Sequence, residues 1–360
     1  VIGIGGCTAL IVTGFGLHES IFDILDKQFD EISLYDATVG LEDPVTGDQM
    51  GRVTAYLDGN EAVERYLECY QGTADISVEG TAAKNSYLFV VDDLDNFTQF
   101  IDLRHRTDDQ PVELTDSGVV ITEKLSEMLE VSVGDSITLE QDDRRVQVPV
   151  TDIVENYVYH YVYLTEHCYE TLFEERAEMN TILVAYADGT GQTESDAVSA
   201  DLMAMDGVAS YSYIATIRDS FTDSMNAINY AVVIIILAAA ALAFVVLYNL
   251  TNINITERIR EIATIKVLGF YPMEVASYVF RENFFLTAIG GGVGLLLGKL
   301  LHWFVMEQIN IDMVCFQAVV QPVSYLYSFA LTFLFACIVN AAMFGKLDDI
   351  NMAESLKSIE

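Results

Sequence analysis

Histidine and cysteine are the side chains of this sequence best suited to nucleophilic catalysis or metal binding. The histidines are His18, His105, His160, His167 and His302, and the cysteines are Cys7, Cys69, Cys168, Cys315 and Cys337. A structural zinc site takes four such ligands, usually in closely spaced pairs. In this sequence only His167 and Cys168 are adjacent. The sequence therefore predicts no metal site and no catalytic residue.

Nucleotide binding is the other chemistry to test, because a glycine precedes a lysine at Gly298-Lys299. A phosphate-binding P-loop has the pattern GxxxxGK followed by Ser or Thr, so it also needs a glycine five residues before Gly298 and a Ser or Thr directly after Lys299. Val293 and Leu300 occupy those two positions. The sequence also contains no HExxH or GxSxG motif. We therefore expect a chain that is not an enzyme and holds no cofactor.

The composition separates two kinds of segment. The chain has 18 basic and 54 acidic residues, for a net charge of −36, yet 52% of its residues are apolar. Residues 1–225 carry 44 acidic and 11 basic groups, whereas residues 226–360 carry 10 and 7. These numbers exclude a nucleic-acid partner, which needs a basic surface, and a disordered chain, which lacks apolar residues. They indicate an acidic aqueous domain joined to a membrane-embedded one.

Three runs near the C-terminus are long enough to cross a bilayer, which takes about 20 helical residues. Ala227–Leu250 and Val323–Gly345 contain no charge, and Phe284–Met306 contains only Lys299. A fourth apolar run, Val1–Leu17, has no basic flank and no initiator Met. We interpret it as the remainder of a truncated first span, in a chain that is a fragment of a longer protein.

The short loops predict the orientation, because basic residues favour the cytoplasmic side. Six basic residues lie in Thr251–Asn283 and the C-terminal tail, and none lies in Glu307–Pro322. The predicted organisation is transmembrane helix 1 at 1–17, an extracytoplasmic α/β domain at 18–225, transmembrane helix 2 at 226–250, a cytoplasmic coupling loop at 251–283, transmembrane helix 3 at 284–306, an outer loop at 307–322, transmembrane helix 4 at 323–345 and a cytoplasmic tail at 346–360.

The outward segment alternates helical and strand patterns, which predicts one mixed α/β domain or two small lobes. Apolar spacing predicts helices at Glu61–Tyr70 and Ile121–Leu129, and the strands Ser136–Leu139 and Arg145–Val150 form a hairpin. Tyrosines alternate along the strand predicted over 157–164, at Tyr157, Tyr159, Tyr161 and Tyr163. They either pack at the edge of the core or form a surface for an outer partner.

Glycines mark one face of the third span. Gly290, Gly294 and Gly298 recur at every fourth position, which lets a neighbouring helix approach closely. The spacing fits ordinary helix packing as well as a sliding contact.

The cytoplasmic loop contains an amphipathic helix. Ile255, Ile259, Ile262, Ala263 and Ile265 fall on one side, and Glu257, Arg258, Arg260 and Glu261 fall on the other. Lys266 follows on the apolar side, Gly269 ends the helix, and Pro272 begins the next one. Such a helix either lies on the membrane or receives force from a cytoplasmic partner.

The sequence of Asn249–Asn283, NLTNINITERIREIATIKVLGFYPMEVASYVFREN, resembles the signature of FtsX-like permeases, the MacB-type ABC transporter permeases. The ERIREIATIKVLG core and the downstream EV…REN spacing carry the similarity. Gly118–Leu139 resembles a stretch of the MacB-like extracytoplasmic domain, and the order of one span, a large domain and three spans is that of the family unit.

The resemblance implies a multi-pass permease of a bacterial plasma membrane, in contact with membrane lipid. It also implies a cytoplasmic ABC ATPase, which binds ATP and Mg²⁺, and a second permease unit, either identical or a paired half. With its truncated first span, the chain then resembles the C-terminal half of a longer permease that carries two such units. Glu257, Arg258, Ile259, Arg260, Glu261, Ile262, Lys266 and Gly269 then form the ATPase-coupling loop. Export or extraction of a lipid, lipoprotein, peptide or antibiotic is the expected function. The alternative is a mechanotransmitter of the cell-division type that regulates a cell-wall hydrolase without transport.

Overall fold

A computed structural model describes residues 1–142, 144–309 and 311–348. The predicted cytoplasmic tail lies outside the described residues from position 349 onward. The chain divides into a membrane unit, formed by the described parts of 1–22, 225–310 and 316–360, and an outer unit, formed by residues 23–224 and 311–315.

The elements, in chain order, are α1 (Ile2–Asp26), a π-helical turn (Lys27–Ile32), β1 (Ala37–Leu41), α2 (Gly47–Asp58), β2 (Val63–Ser77), β3 (Lys84–Val91), α3 (Leu94–Phe97), β4 (Val119–Thr122), α4 (Glu123–Leu129), β5 (Ser136–Gln141), β6 (Arg144–Val154), β7 (Tyr161–Thr165), α5 (Glu166–Phe173), β8 (Thr181–Tyr186), α6 (Gln192–Met203), β9 (Val208–Tyr213), α7 (Ile214–Glu257), α8 (Ile259–Val267), α9 (Pro272–Gln308) and α10 (Pro322–Asp348).

Four helices of the described chain, α1, α7, α9 and α10, are long and apolar enough to cross a membrane. They flank a mixed α/β domain, which confirms the predicted fold class. Helix α1 continues past the predicted end of the first span at Leu17 and reaches Asp26. Helix α7 has 44 residues, about twice what a bilayer core requires.

Six strands of the outer unit close on themselves, in the order β2-β3-β7-β4-β6-β5 and back to β2. The neighbours are antiparallel except for β3–β7 and β4–β6. Alternate residues point inward, so that Ile137 and Leu139 of β5 and Val148 and Val150 of β6 are buried. This lobe has its own apolar core.

The second lobe is a four-stranded antiparallel sheet in the order β2-β8-β1-β9. Helices α2 and α6 bury their apolar residues against this sheet, namely Val53, Leu57, Val198 and Leu202. The first half of β2 pairs with β8 and the second half with β3 and β5. One long strand therefore joins the two lobes.

The helix predicted at Glu61–Tyr70 is wrong, because this segment belongs to β2. Its apolar residues match helical spacing by sequence alone, but in the strand the buried positions alternate, as at Leu67 and Cys69. Pairing with β8 satisfies the backbone of this half of the strand. Tertiary pairing overrides the weak local preference.

Residues 311–315, within the predicted outer loop, pack on the outer unit as an extra backbone segment. Val314 forms an antiparallel bridge with Val158. The Tyr159 N–H donates to the Met313 carbonyl, and the Cys315 N–H donates to the Tyr157 carbonyl, each at 2.9 Å. The bridge therefore satisfies backbone groups on both segments.

The predicted glycine face of α9 lies where α1 approaches it. A β-carbon at Gly294 would stand 2.5 Å from Thr8 Cβ and 2.7 Å from the Gly5 carbonyl oxygen, and one at Gly298 would stand 2.6 Å from Val12 Cβ. At Gly290 the nearest atom would be Ile4 Cβ, at 3.0 Å. These contacts leave no room for a methyl group between the two helices at Gly294 and Gly298.

We expect Gly294→Ala to lower the free energy of unfolding by about 1–3 kcal/mol, because the added methyl group overpacks the contact with α1. Gly292 is a matched control on the same helix, since a β-carbon there meets nothing within 4 Å. Gly292→Ala should be neutral or stabilising by up to about 1 kcal/mol. Thermal unfolding in detergent micelles measures the difference, and equal stability of the two variants would contradict the close contact.

Candidate functional site

The predicted coupling helix is present as α8, and its two ends are set by the backbone. Helix α7 ends at Glu257, and Arg258 leaves the helical region with φ −102° and ψ 15° before α8 begins. After Leu268, Gly269 adopts φ +91°, a left-handed conformation that favours glycine. The chain then turns into α9, where Pro272 occupies the first helical position and the Glu274 carboxylate accepts from the Tyr271 N–H at 2.9 Å.

The two faces of α8 differ in burial as the sequence pattern predicts. Ile262 and Ala263 are buried, and Arg260 and Glu261 are exposed. Of the other residues predicted for this site, Glu257 and Gly269 are exposed, whereas Arg258, Ile259 and Lys266 are half-buried. The buried face belongs to one apolar core with residues from the ends of the four long helices, whose members are Ile4, Leu247, Ile255, Val275, Ala276, Val279, Ala336, Val339 and Met343. Helix α8 is therefore packed into the membrane unit, and its charged face remains accessible.

The Arg258 side chain forms a bidentate ion pair with Glu282 of α9. Arg258 Nη1 lies 2.6 Å from Glu282 Oε2, and Nη2 donates to Oε1 at 3.1 Å. This pair joins the start of α8 to α9. The amphipathic pattern predicts Arg258 on the docking face and gives no sign of Glu282, because a helical wheel of one segment cannot show a partner 24 residues away.

A buried amide network lies beside this core and was also missed. Asn283 Nδ2 donates to Thr251 Oγ1 at 2.9 Å and to Asn340 Oδ1 at 3.1 Å. Asn254 Nδ2 donates to Asn283 Oδ1 at 3.0 Å. The network links α7, α9 and α10. Its only sequence signal is the isolated polar residues at the inner ends of apolar runs, where such residues have few other partners.

The predicted tyrosine surface of the outer unit is not a single face. Strand β7 begins only at Tyr161, and Tyr159 before it has φ +62°. Tyr157 and Tyr163 are 1% and 2% exposed, so burial removes them from any partner surface. Tyr159 and Tyr161 are half-buried, and each ring lies 5.4 Å from that of Tyr87.

Tyr157 belongs instead to a buried ionic cluster around Arg104. Arg104 Nε donates to Glu155 at 2.9 Å and Nη1 donates to Asp102 at 3.2 Å, and the guanidinium also pairs with Glu31. The Tyr157 hydroxyl donates to Glu155, which is 3% exposed. Burial alone would raise the pKa of Glu155, but hydrogen bonds from Tyr157 and Arg104 and the nearby positive charges outweigh it and lower that pKa.

Removing the Glu155 charge should destabilise the protein at neutral pH by about 2 kcal/mol, since Glu155→Gln leaves Arg104 and Tyr157 with a weaker acceptor. The folded-state pKa of Glu155 is below its ordinary value. Its contribution is therefore present above about pH 4.3 and is lost as the pH falls through the folded pKa. Thermal unfolding of both proteins from pH 7 to 3 should show the difference shrinking in acid. Glu113→Gln, at an exposed position, is the control.

Reversing one charge of the Arg258–Glu282 pair should cost about 0.5–1 kcal/mol, because the two side chains are 39% and 42% exposed. Arg258→Glu places two carboxylates together, and adding Glu282→Arg restores an ion pair. The double variant should regain most of the loss in a double-mutant cycle of thermal unfolding. Additive losses would show that the pair contributes nothing to joining α8 and α9.

The geometry defines a membrane unit of four long helices with a charged helix inserted between the second and third. Residues 233–347 match the family described as FtsX-like permease C-terminal. The matched residues include Asn249–Asn283, so this match confirms the resemblance of that segment to FtsX-like permeases.

Solved structures show weaker similarity. The periplasmic region of MacB from Actinobacillus actinomycetemcomitans is 13% identical, with 55% of this chain and 97% of that chain covered and a TM-score of 0.35. The extracellular domain of the noncanonic ABC-type transporter YknZ from Gram-positive bacteria is 12% identical, with 50% and 98% covered and a TM-score of 0.31. Scores this low define neither a ligand nor a mechanism. No curated protein matches the sequence.

Proposed function

We propose that this chain is the permease subunit of an ABC transporter, in which a separate cytoplasmic ATPase moves the helices through α8. The transporter exports or extracts a lipid, lipoprotein, peptide or antibiotic. ATP and Mg²⁺ bind to the partner. A second permease unit, identical or paired, completes the assembly in a bacterial plasma membrane, with the outer unit on the extracytoplasmic side.

The position of α8 carries this proposal. Its apolar face shares a core with α7, α9 and α10, and the Arg258–Glu282 pair ties its start to α9. A force applied to α8 therefore acts on three long helices together. Its exposed face presents Arg260 and Glu261, and the exposed Glu257 lies just before it at the end of α7; these charges suit polar docking on a protein.

The orientation rests on the basic residues. Arg258, Arg260 and Lys266 lie between the second and third long helices and Arg281 lies near the start of the third, whereas the segment between α9 and α10 has no Lys or Arg. This bias favours a cytoplasmic position for α8. The acidic outer unit then faces the extracytoplasmic side, where the chemical class of its ligand is open.

The partner can be captured in host membranes with a photo-crosslinking amino acid at Glu261. The expected product is a cytoplasmic protein with a Walker A motif, absent when the crosslinker replaces Glu113 of the outer unit. Once that ATPase is identified, its affinity for the permease can be measured directly. Glu261→Lys should weaken this affinity about five-fold, as expected for the loss of an exposed charge pair of roughly 1 kcal/mol.

Glu113→Lys makes the same charge change at an exposed position outside α8 and should leave association unchanged. Full ATPase binding and full ATP-dependent activity of a folded Glu261→Lys variant would contradict docking through α8. Crosslinking only to proteins without a nucleotide site would contradict the transporter assignment itself.

A further inference from the structure

A groove between α9 and α10 lies next to the amide network, on the proposed cytoplasmic half of the membrane unit. Its volume is about 590 Å³, within the range of small-ligand sites. The walls are mostly apolar, with Phe280 and Phe284 from α9 and Phe344 from α10. Three polar side chains, those of Ser277, Arg281 and Asn340, also line it. An apolar groove with few polar groups suits an amphipathic occupant.

Asn340 supplies a hydrogen-bond donor that the protein does not use. The residue is 5% exposed, and its Oδ1 accepts from Asn283 Nδ2. That bond fixes the orientation of the amide, because a flipped amide would place two NH₂ groups against each other. Its Nδ2 is buried and has no hydrogen-bond partner among the described residues. An unpaired buried donor lining a groove calls for an acceptor on a ligand.

Arg281 supplies a positive charge in the same groove. Its side chain is exposed and forms no ion pair with any described residue, in contrast to Arg258, which pairs with Glu282. It lies at the predicted boundary between the cytoplasmic loop and the third span. Anionic headgroups are concentrated at this level of the cytoplasmic leaflet. The charge of the groove is therefore complementary to an anionic lipid.

We propose that this groove binds an anionic phospholipid from the cytoplasmic leaflet. The phosphate pairs with Arg281, an ester carbonyl accepts from Asn340 Nδ2, and an acyl chain lies against Phe280, Phe284 and Phe344. The lipid is a resident of the permease and is not its cargo. This inference uses the orientation proposed above but does not depend on the ATPase, so it is tested on the permease alone.

The experiment is native mass spectrometry of the purified permease with added phosphatidylglycerol or phosphatidylcholine of identical acyl chains. The wild-type protein should bind phosphatidylglycerol about five-fold more tightly, the effect of one basic residue at an anionic headgroup. Arg281→Gln should remove this preference. Lys299→Gln, the same charge change at an exposed position of the same helix outside the groove, should keep it.

Two adjacent alanines test the groove itself. Ala341 lines it and Ala342 does not, and both are exposed. Ala341→Trp should abolish binding of both lipids by filling the groove, whereas Ala342→Trp should retain it. Cys337 provides a second readout, because it lines the groove and is exposed, whereas the other four cysteines are buried. Bound lipid should slow the labelling of Cys337 by a maleimide. The concentration that halves the labelling rate should be about five-fold lower for phosphatidylglycerol than for phosphatidylcholine.

Equal binding of the two lipids to the wild-type protein, or a preference that survives Arg281→Gln, would overturn the proposal. A change in the mass of the assembly in Ala341→Trp, with lipid binding intact, would also overturn it and would identify the groove as a contact between two copies of the chain.

Discussion

The membrane unit depends on one buried amide, that of Asn283. Its oxygen accepts from Asn254, and its nitrogen donates to Thr251 and to Asn340, so three helices meet at a single side chain. An amide left unpaired in an apolar environment costs several kcal/mol. Sliding one helix by a turn, about 5.4 Å, would break these bonds. The network therefore fixes the mutual register of α7, α9 and α10 where α8 packs against them.

On the proposed function, this fixed register would allow a small helix, α8, to act on the whole membrane unit. Ile262 and Ala263 fill the same core as the helix ends, and close-packed interiors transmit displacement because they resist compression. Helix α1 joins the same body through Gly294 and Gly298, where Thr8 and Val12 of α1 pack directly on the backbone of α9. A force applied to α8 is thus expected to move the membrane unit as one body, because α8 and the long helices pack directly against one another.

Sequence patterns within one segment predicted the features that interactions within that segment decide. The long helices follow from apolar length, the two faces of α8 follow from helical periodicity, and the stop at Gly269 follows from its need for positive φ. The helix assigned to Glu61–Tyr70 failed because partners distant in sequence, β8 above all, decide the conformation of β2. The Arg258–Glu282 pair, the Asn283 network and the burial of Tyr157 were missed for the same reason. Each joins residues of different elements, and no spacing rule within one element encodes such a contact.

The outer unit shows how a very acidic chain can still be compact. Residues 1–225 have about four carboxylates for each basic residue. Acidic segments that repel one another can therefore lie side by side only where a basic residue pairs with both. Arg104 gathers Glu31, Asp102 and Glu155 from three separate segments. Arg218 of α7 pairs at 2.6 Å with both Asp26, the last residue of α1, and Asp30 of the π-helical turn. The remaining carboxylates are mostly exposed, where salt screens repulsion beyond about 10 Å at 0.1 M. Ion pairs of these few arginines thus bring the acidic segments together, and the surplus negative charge stays at the surface of the domain.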